Sequence, residues 1–82
     1  MNKEILEKIK KIAKEQKLNV DLSIANKDKS LKELGLDSLA VIGLIVKLEN
    51  ELQIYVSDET LAKIQTLEQL VSAIEETLKN KK

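Results

Sequence analysis

Two adjacent residues combine side chains able to take part in chemistry with a place where a reagent could reach them. These are Asp37 and Ser38, two and three positions past Gly35 and at the start of a long apolar run. A serine hydroxyl becomes a nucleophile only when a neighbouring group takes its proton. No such group accompanies Ser38: the 82 residues include no His and no Cys, and Ser38 has no Ser-x-x-Lys arrangement. Imidazole-based triads are therefore excluded, as are thiolate chemistry, disulfides and Cys/His zinc sites. Ser38 suits a different role, that of an acceptor needing exposure and a partner that brings the catalysis. Taken alone, Asp37-Ser38 reads more readily as a helix-capping pair.

The elements that must hold this pair are helical. Ile5, Leu6, Ile9, Ile12 and Ala13 recur at helical spacing behind Asn2, a capping residue, and predict a helix over about 2–16. Residues 17–29 keep no steady period. Leu18, Val20, Leu22 and Ile24 alternate there, but no second strand of convincing length exists to pair with them. We read a long loop pinned by apolar side chains. Ser30-Leu31-Lys32-Glu33 has capping-box spacing and predicts a brief turn that Gly35 ends. Asp37 or Ser38 then caps a helix over about 37–51. Ser57 or Asp58 caps a short one over about 58–64, and Thr66-Leu67-Glu68-Gln69 opens a last one over about 66–79. The terminal pair Lys81-Lys82 reads as a short frayed tail. The expectation is an all-α, single-domain chain, 1–82, built as a four-helix bundle with a long first loop and a short third helix.

The helix after Asp37 is more apolar than a bundle member requires. At about 100° per residue, Val41, Ile42, Ile45, Leu48 and Leu52 gather on one side, which we assign to the core. Leu44 falls on one flank, Leu39 and Val46 on the other, and Ala40, Gly43, Lys47 and Asn50 on the outer side. Leu39 and Val46 are either covered by the long loop or form a shallow apolar patch beside Ser38. A mid-helix glycine costs about 1 kcal/mol relative to alanine, so Gly43 predicts a close approach by another surface.

Composition narrows the function classes. Pro is absent and Gly occurs twice, which argues against collagen, linkers and turn-rich β-sandwiches. No apolar run approaches the roughly 18 residues of a membrane span, and MNKEILEKIKK carries charges where a signal peptide needs apolar residues. The expectation is a soluble, cytoplasmic protein. Fourteen Lys and fourteen acids cancel, but residues 1–36 carry +3 and residues 37–82 carry −3. A helix-turn-helix built on residues 30–51 would need a basic recognition helix. Here Lys47 stands against Glu49 and Glu51, so a DNA-binding or small interaction module is the remote alternative. Tyr55 is the sole aromatic, and a core of Ile, Leu, Val and Ala is one that a slender apolar guest could part.

Leu34-Gly35-Leu36-Asp37-Ser38-Leu39 resembles the attachment motif of acyl carrier proteins. The likeness extends upstream through Glu15-Gln16, Val20, Ile24-Ala25-Asn26 and Ser30-Leu31-Lys32-Glu33-Leu34. Downstream it runs through the stretch from Leu44 to Leu52, Ile54-Tyr55-Val56-Ser57-Asp58-Glu59 and Lys63-Ile64-Gln65-Thr66-Leu67. It covers nearly the whole chain.

The resemblance implies a non-catalytic carrier. Ser38 matches the serine that receives 4′-phosphopantetheine, added by a phosphopantetheinyl transferase, and Asp37 matches its supporting acid. The thiol of that group carries acyl intermediates as thioesters to fatty acid synthesis enzymes and acyltransferases. Leu39, Val46, Glu49 and Glu51 are then the expected docking residues. Ile45, Leu48, Ile54, Ala62 and Ile64 are the expected lining of an acyl pocket. A monomer with transient partners and no nucleic acid follows. Ala40, Gly43 and Asn50 stand where fatty-acid carriers usually show acids, and Ser57 where they show Pro. Peptidyl, aryl and D-alanyl carriers therefore remain the alternative.

Overall fold

A short polar side chain opens each helix by accepting the otherwise unpartnered N–H three residues on. The computed structural model describes residues 2–81. Asn2 opens α1 (Lys3–Glu15), Asp37 opens α2 (Ser38–Leu52), Ser57 opens α3 (Asp58–Lys63) and Thr66 opens α4 (Leu67–Lys79). Each such cap is worth about 0.5–2 kcal/mol. At α4 the Gln69 side chain also reaches back to the Thr66 N–H at 2.9 Å, completing a capping box. Among the described residues there is no strand, only an isolated antiparallel bridge between Ser30 and Thr66.

α1 packs against both α2 and α4. Ile5, Leu6, Ile9, Ile12 and Ala13 of α1 meet Leu44, Ile45 and Leu48 of α2 and Leu67, Leu70, Val71 and Ile74 of α4 in one aliphatic core. No polar side chain is buried among the described residues. α3 contributes no fully buried residue; its Leu61 is only partly covered.

The buried stripe of α2 is rotated from the assignment made above. Leu44 is fully buried, whereas Ile42 is 49% exposed. The cause is the position of α1. Leu44 points toward α1 and joins its residues in the common core, while Ile42 lines the groove with Leu61 and Ala62 of α3; Gln16, at the C-terminal end of α1, donates from Nε2 to the Gly43 carbonyl at 3.5 Å. The approach at Gly43 is thus made by the chain's own Gln16, whose Oε1 would lie 3.5 Å from a Cβ at that position.

The long connection between α1 and α2 is pinned by apolar side chains. Leu22, Leu31 and Leu36 are buried and Leu18 and Val20 partly so, while Ile24 begins a single 3-10 turn (Ile24–Asn26) and is exposed. The connection is also stitched to the start of α4. Glu68 N donates to Lys27 O at 3.0 Å, and Leu31 N donates to Gln65 O at 2.8 Å. The Lys27 ammonium sits 2.9 Å from Glu68 and 3.2 Å from Asp28, and these carboxylates, Glu68 foremost, hold its pKa above the ordinary lysine value.

Lys81 is not loose as expected of a frayed tail. Its Nζ donates to the Leu52 carbonyl at 2.9 Å, satisfying one of the oxygens left open at the end of α2; Lys82 lies outside the described residues.

Candidate functional site

The segment that delivers Ser38 is a tight, internally bonded turn. Ser30 N donates to Glu33 Oε1 at 3.2 Å and Glu33 N donates to Ser30 Oγ at 3.1 Å, the reciprocal pair that the spacing suggested. Leu36 N then closes onto Leu31 O at 2.9 Å. Between them Gly35 takes φ +99°, a backbone conformation open to glycine and strained for other residues. That reversal drops Leu36 into the core and turns the next two residues outward.

Asp37 and Ser38 are both exposed. Asp37 is the cap: its Oδ1 accepts the Ala40 N–H at 2.8 Å, and its carbonyl accepts the Val41 N–H at 3.0 Å. Ser38 is the first residue of α2, so its N–H and that of Leu39 have no intrahelical acceptor. The Ser38 hydroxyl makes no hydrogen bond to any described residue. It is presented rather than engaged, beside backbone donors that suit an attached anion.

Ser38 stands at the rim of an open groove of about 780 Å³ between α2, α3 and the turn at residues 30–36. Leu31, Leu36, Val41, Ile42, Leu61, Ala62 and Ile64 supply its apolar lining, and Lys32, Asp37 and Asp58 are its charged residues. A hydroxyl at the mouth of an apolar trough suits a group anchored at one end and lying along the protein. The residues therefore fit a phosphopantetheine arm with a short apolar cargo.

Of the five residues expected to line an acyl pocket, Ala62 and Ile64 do so. Ile45 and Leu48, at 2% and 0% exposure, are core beneath the groove. Ile54 lies at the far end of α2, in a smaller, more polar depression with Tyr55, Ser57 and Thr77. Sequence reasoning missed Val41, Ile42 and Leu61 as lining. On periodicity Val41 and Ile42 read as core, and Leu61 stands on the six-residue α3, too short to show which face it turns inward.

The docking residues also divide. Leu39, Ile42 and Val46 are 80%, 49% and 48% exposed and follow one another along α2 as a continuous apolar stripe leading away from Ser38. Glu49 is half-buried, and its Oε2 accepts the Val56 N–H at 2.8 Å. Glu51 is exposed but lies about 140° round the helix from the stripe. The structure therefore brings Leu39 and Val46 together; Glu49, three positions past Val46, continues that face with its carboxylate engaged, and Glu51 lies elsewhere.

No helix among the described residues is long and apolar enough to cross a membrane. Residues 5–74 match the family described as "Phosphopantetheine attachment site". The chain is 42% identical to an acyl carrier protein homolog of Ureaplasma parvum over 96% of its own length and 100% of the relative's. It is 40% identical to one of Mycoplasma genitalium over 95% and 93%. The crystal structure of an acyl carrier protein from Thermotoga maritima superposes with a TM-score of 0.81 at 32% identity, covering 94% of this chain and 89% of that one. With the four-helix order, the exposed serine at the start of α2 and these matches in hand, the chain belongs to the acyl carrier protein family, whose cofactor is 4′-phosphopantetheine.

Proposed function

We propose that Ser38 is the residue to which a phosphopantetheinyl transferase attaches the cofactor, and that the protein presents acyl groups to the enzymes of fatty acid synthesis. The observation that carries this reading is the exposed, unengaged Ser38 hydroxyl at the rim of the apolar groove. When bound, the cofactor supplies a terminal thiol that a chain without cysteine does not encode, and that thiol holds the cargo as a thioester. The protein's own residues do the rest. Asp37 caps the first turn of α2 at Ser38, and the reversal at Gly35, anchored by buried Leu36, turns the serine outward. Val41, Ile42, Leu61, Ala62 and Ile64 shelter apolar cargo at no more than about 0.8 kcal/mol per CH₂. The stripe Leu39, Ile42 and Val46 is the contact surface for partners. It is small, which suits brief encounters rather than stable complexes.

The chain works as one carrier unit, a cytoplasmic monomer. A peptidyl or related carrier is the second reading, favoured by the thinning of acids on α2: Ala40, Gly43 and Asn50 carry no charge, and Glu49 is tied inward. Incubation with a broad-specificity transferase and coenzyme A, followed by intact-mass analysis, tests attachment. Wild type gains one phosphopantetheine and Ser38→Ala gains none; a full adduct on Ser38→Ala overturns the assignment. The cargo released from protein isolated from its own cells separates the two readings.

A further inference from the structure

The groove that begins at Ser38 has three charged residues, and two of them are acids. Asp37 and Asp58 line it with Lys32, the only cation among its lining residues. Lys32 sits in the turn fixed by the reciprocal Ser30–Glu33 hydrogen bonds, and its own carbonyl accepts the Gly35 N–H at 3.0 Å. The backbone that carries it is therefore held in place, and the Leu31 N–H to Gln65 carbonyl bond ties it to the far wall of the groove.

Its ammonium is free of carboxylates. Among the described residues Lys27 pairs with Asp28 and Glu68 and Lys10 with Glu7, while Lys32 pairs with none. The neighbouring acid on its turn, Glu33, is occupied by the Ser30 N–H. Asp37 is occupied by the Ala40 N–H. A phosphodiester on Ser38 would add an anion to a rim that already holds two. Unless a cation meets it, like charges this close raise the free energy of the modified state.

Resting on Ser38 as the attachment residue, we infer that Lys32 is the counter-ion of the Ser38 phosphodiester, positioning the first part of the prosthetic arm across the groove mouth and toward Leu61 and Ala62. Lys32 acts by charge and reach. It has no part in the bond-forming step and is a positioning residue. Arginine in its place keeps the effect and glutamine removes it.

The test uses the full chain before and after phosphopantetheinylation, with isotope-labelled lysine side chains and with Lys32→Gln and Lys32→Arg. On loading, the Lys32 side-chain resonances move more than those of Lys29 or Lys47, and the ³¹P signal of the phosphodiester differs between wild type and Lys32→Gln. Lys32→Gln lowers the melting temperature of the loaded protein by about 1–5 °C relative to its own unloaded form, the scale of an exposed ion pair in a domain of this size. The difference fades by about 0.5 M salt, where the screening length is a few ångströms, and Lys32→Arg restores it. Lys32 resonances unmoved by loading, or equal effects of Lys32→Gln on loaded and unloaded protein, overturn the inference while attachment stands. An adduct that maps by mass spectrometry to another residue overturns the attachment reading, and this one with it.

Discussion

The Glu49 carboxylate accepts the backbone N–H of Val56 at 2.8 Å, across seven residues and around the end of α2. Val56 is 2% exposed, so its N–H has no ready access to water. Glu49→Ala leaves that donor unpaired and is expected to cost about 1–3 kcal/mol, with about 4–8 °C of melting temperature for each kcal/mol. Glu49→Gln keeps an acceptor and costs less. Thermal and urea denaturation of the three proteins check this. If the two variants melt with wild type, Glu49 is a surface charge after all.

The two glycines respond to alanine with opposite signs. Gly43 lies inside α2, and the nearest atom to an added Cβ is the mobile Gln16 Oε1 at 3.5 Å, an ordinary contact. Gly43→Ala is expected to stabilise the fold by about 0.5–1 kcal/mol. Gly35 has room beside Val20 Cγ1 at 3.6 Å, but its φ of +99° does not suit a side chain. Gly35→Ala is expected to cost about 1–2 kcal/mol or more. Equilibrium denaturation gives both values, and equal signs would contradict the backbone assignment.

Ser57 is the control for loading. Like Ser38 it is an exposed serine at a helix start, but its Oγ accepts the Thr60 N–H at 3.2 Å. Ser57→Ala is expected to lose about 1 kcal/mol of stability as a broken cap and to accept phosphopantetheine at the wild-type rate. Ser38→Ala is expected to change stability by no more than about 0.5 kcal/mol. A Ser57→Ala protein that folds yet fails to load would move attention to α3.

Lining and floor of the groove separate by substitution. Protein carrying an eight-carbon chain is expected to melt above protein carrying the free thiol. Leu61→Ala should shrink that difference, because Leu61 faces the groove. Ile45→Val should lower both forms alike, by about 0.5–1.5 kcal/mol, because Ile45 is core. Melting curves of wild type and the two variants, each in both forms, decide it. A gap untouched by Leu61→Ala would mean that the chain lies outside the groove.

What could be read in the sequence was whatever a few neighbouring residues decide. Thr66 with Gln69, Ser30 with Glu33 and the reversal at Gly35 are local, and each has the geometry its spacing implies. The order of helices and the exposed serine followed from such signals. The face of α2 did not, because Val41, Ile42, Leu44, Ile45, Val46 and Leu48 are all apolar. On such a helix the packing partner, not periodicity, decides that Leu44 goes in and Ile42 stays out. The Glu49–Val56 bond was invisible for a related reason. Its spacing matches no cap, and it exists only because the chain folds back after Gln53, which takes φ +54°.

The third helix has six residues and buries none of them fully. Elements held by few buried contacts open without the rest of the molecule and at a small fraction of its global stability. The amide protons of Leu61 and Lys63 should therefore exchange with solvent much faster than those of Leu48 or Ile74, which sit in the fully buried core. One wall of the groove then fluctuates while the opposite wall is fixed. An incoming guest selects among widths the protein already visits.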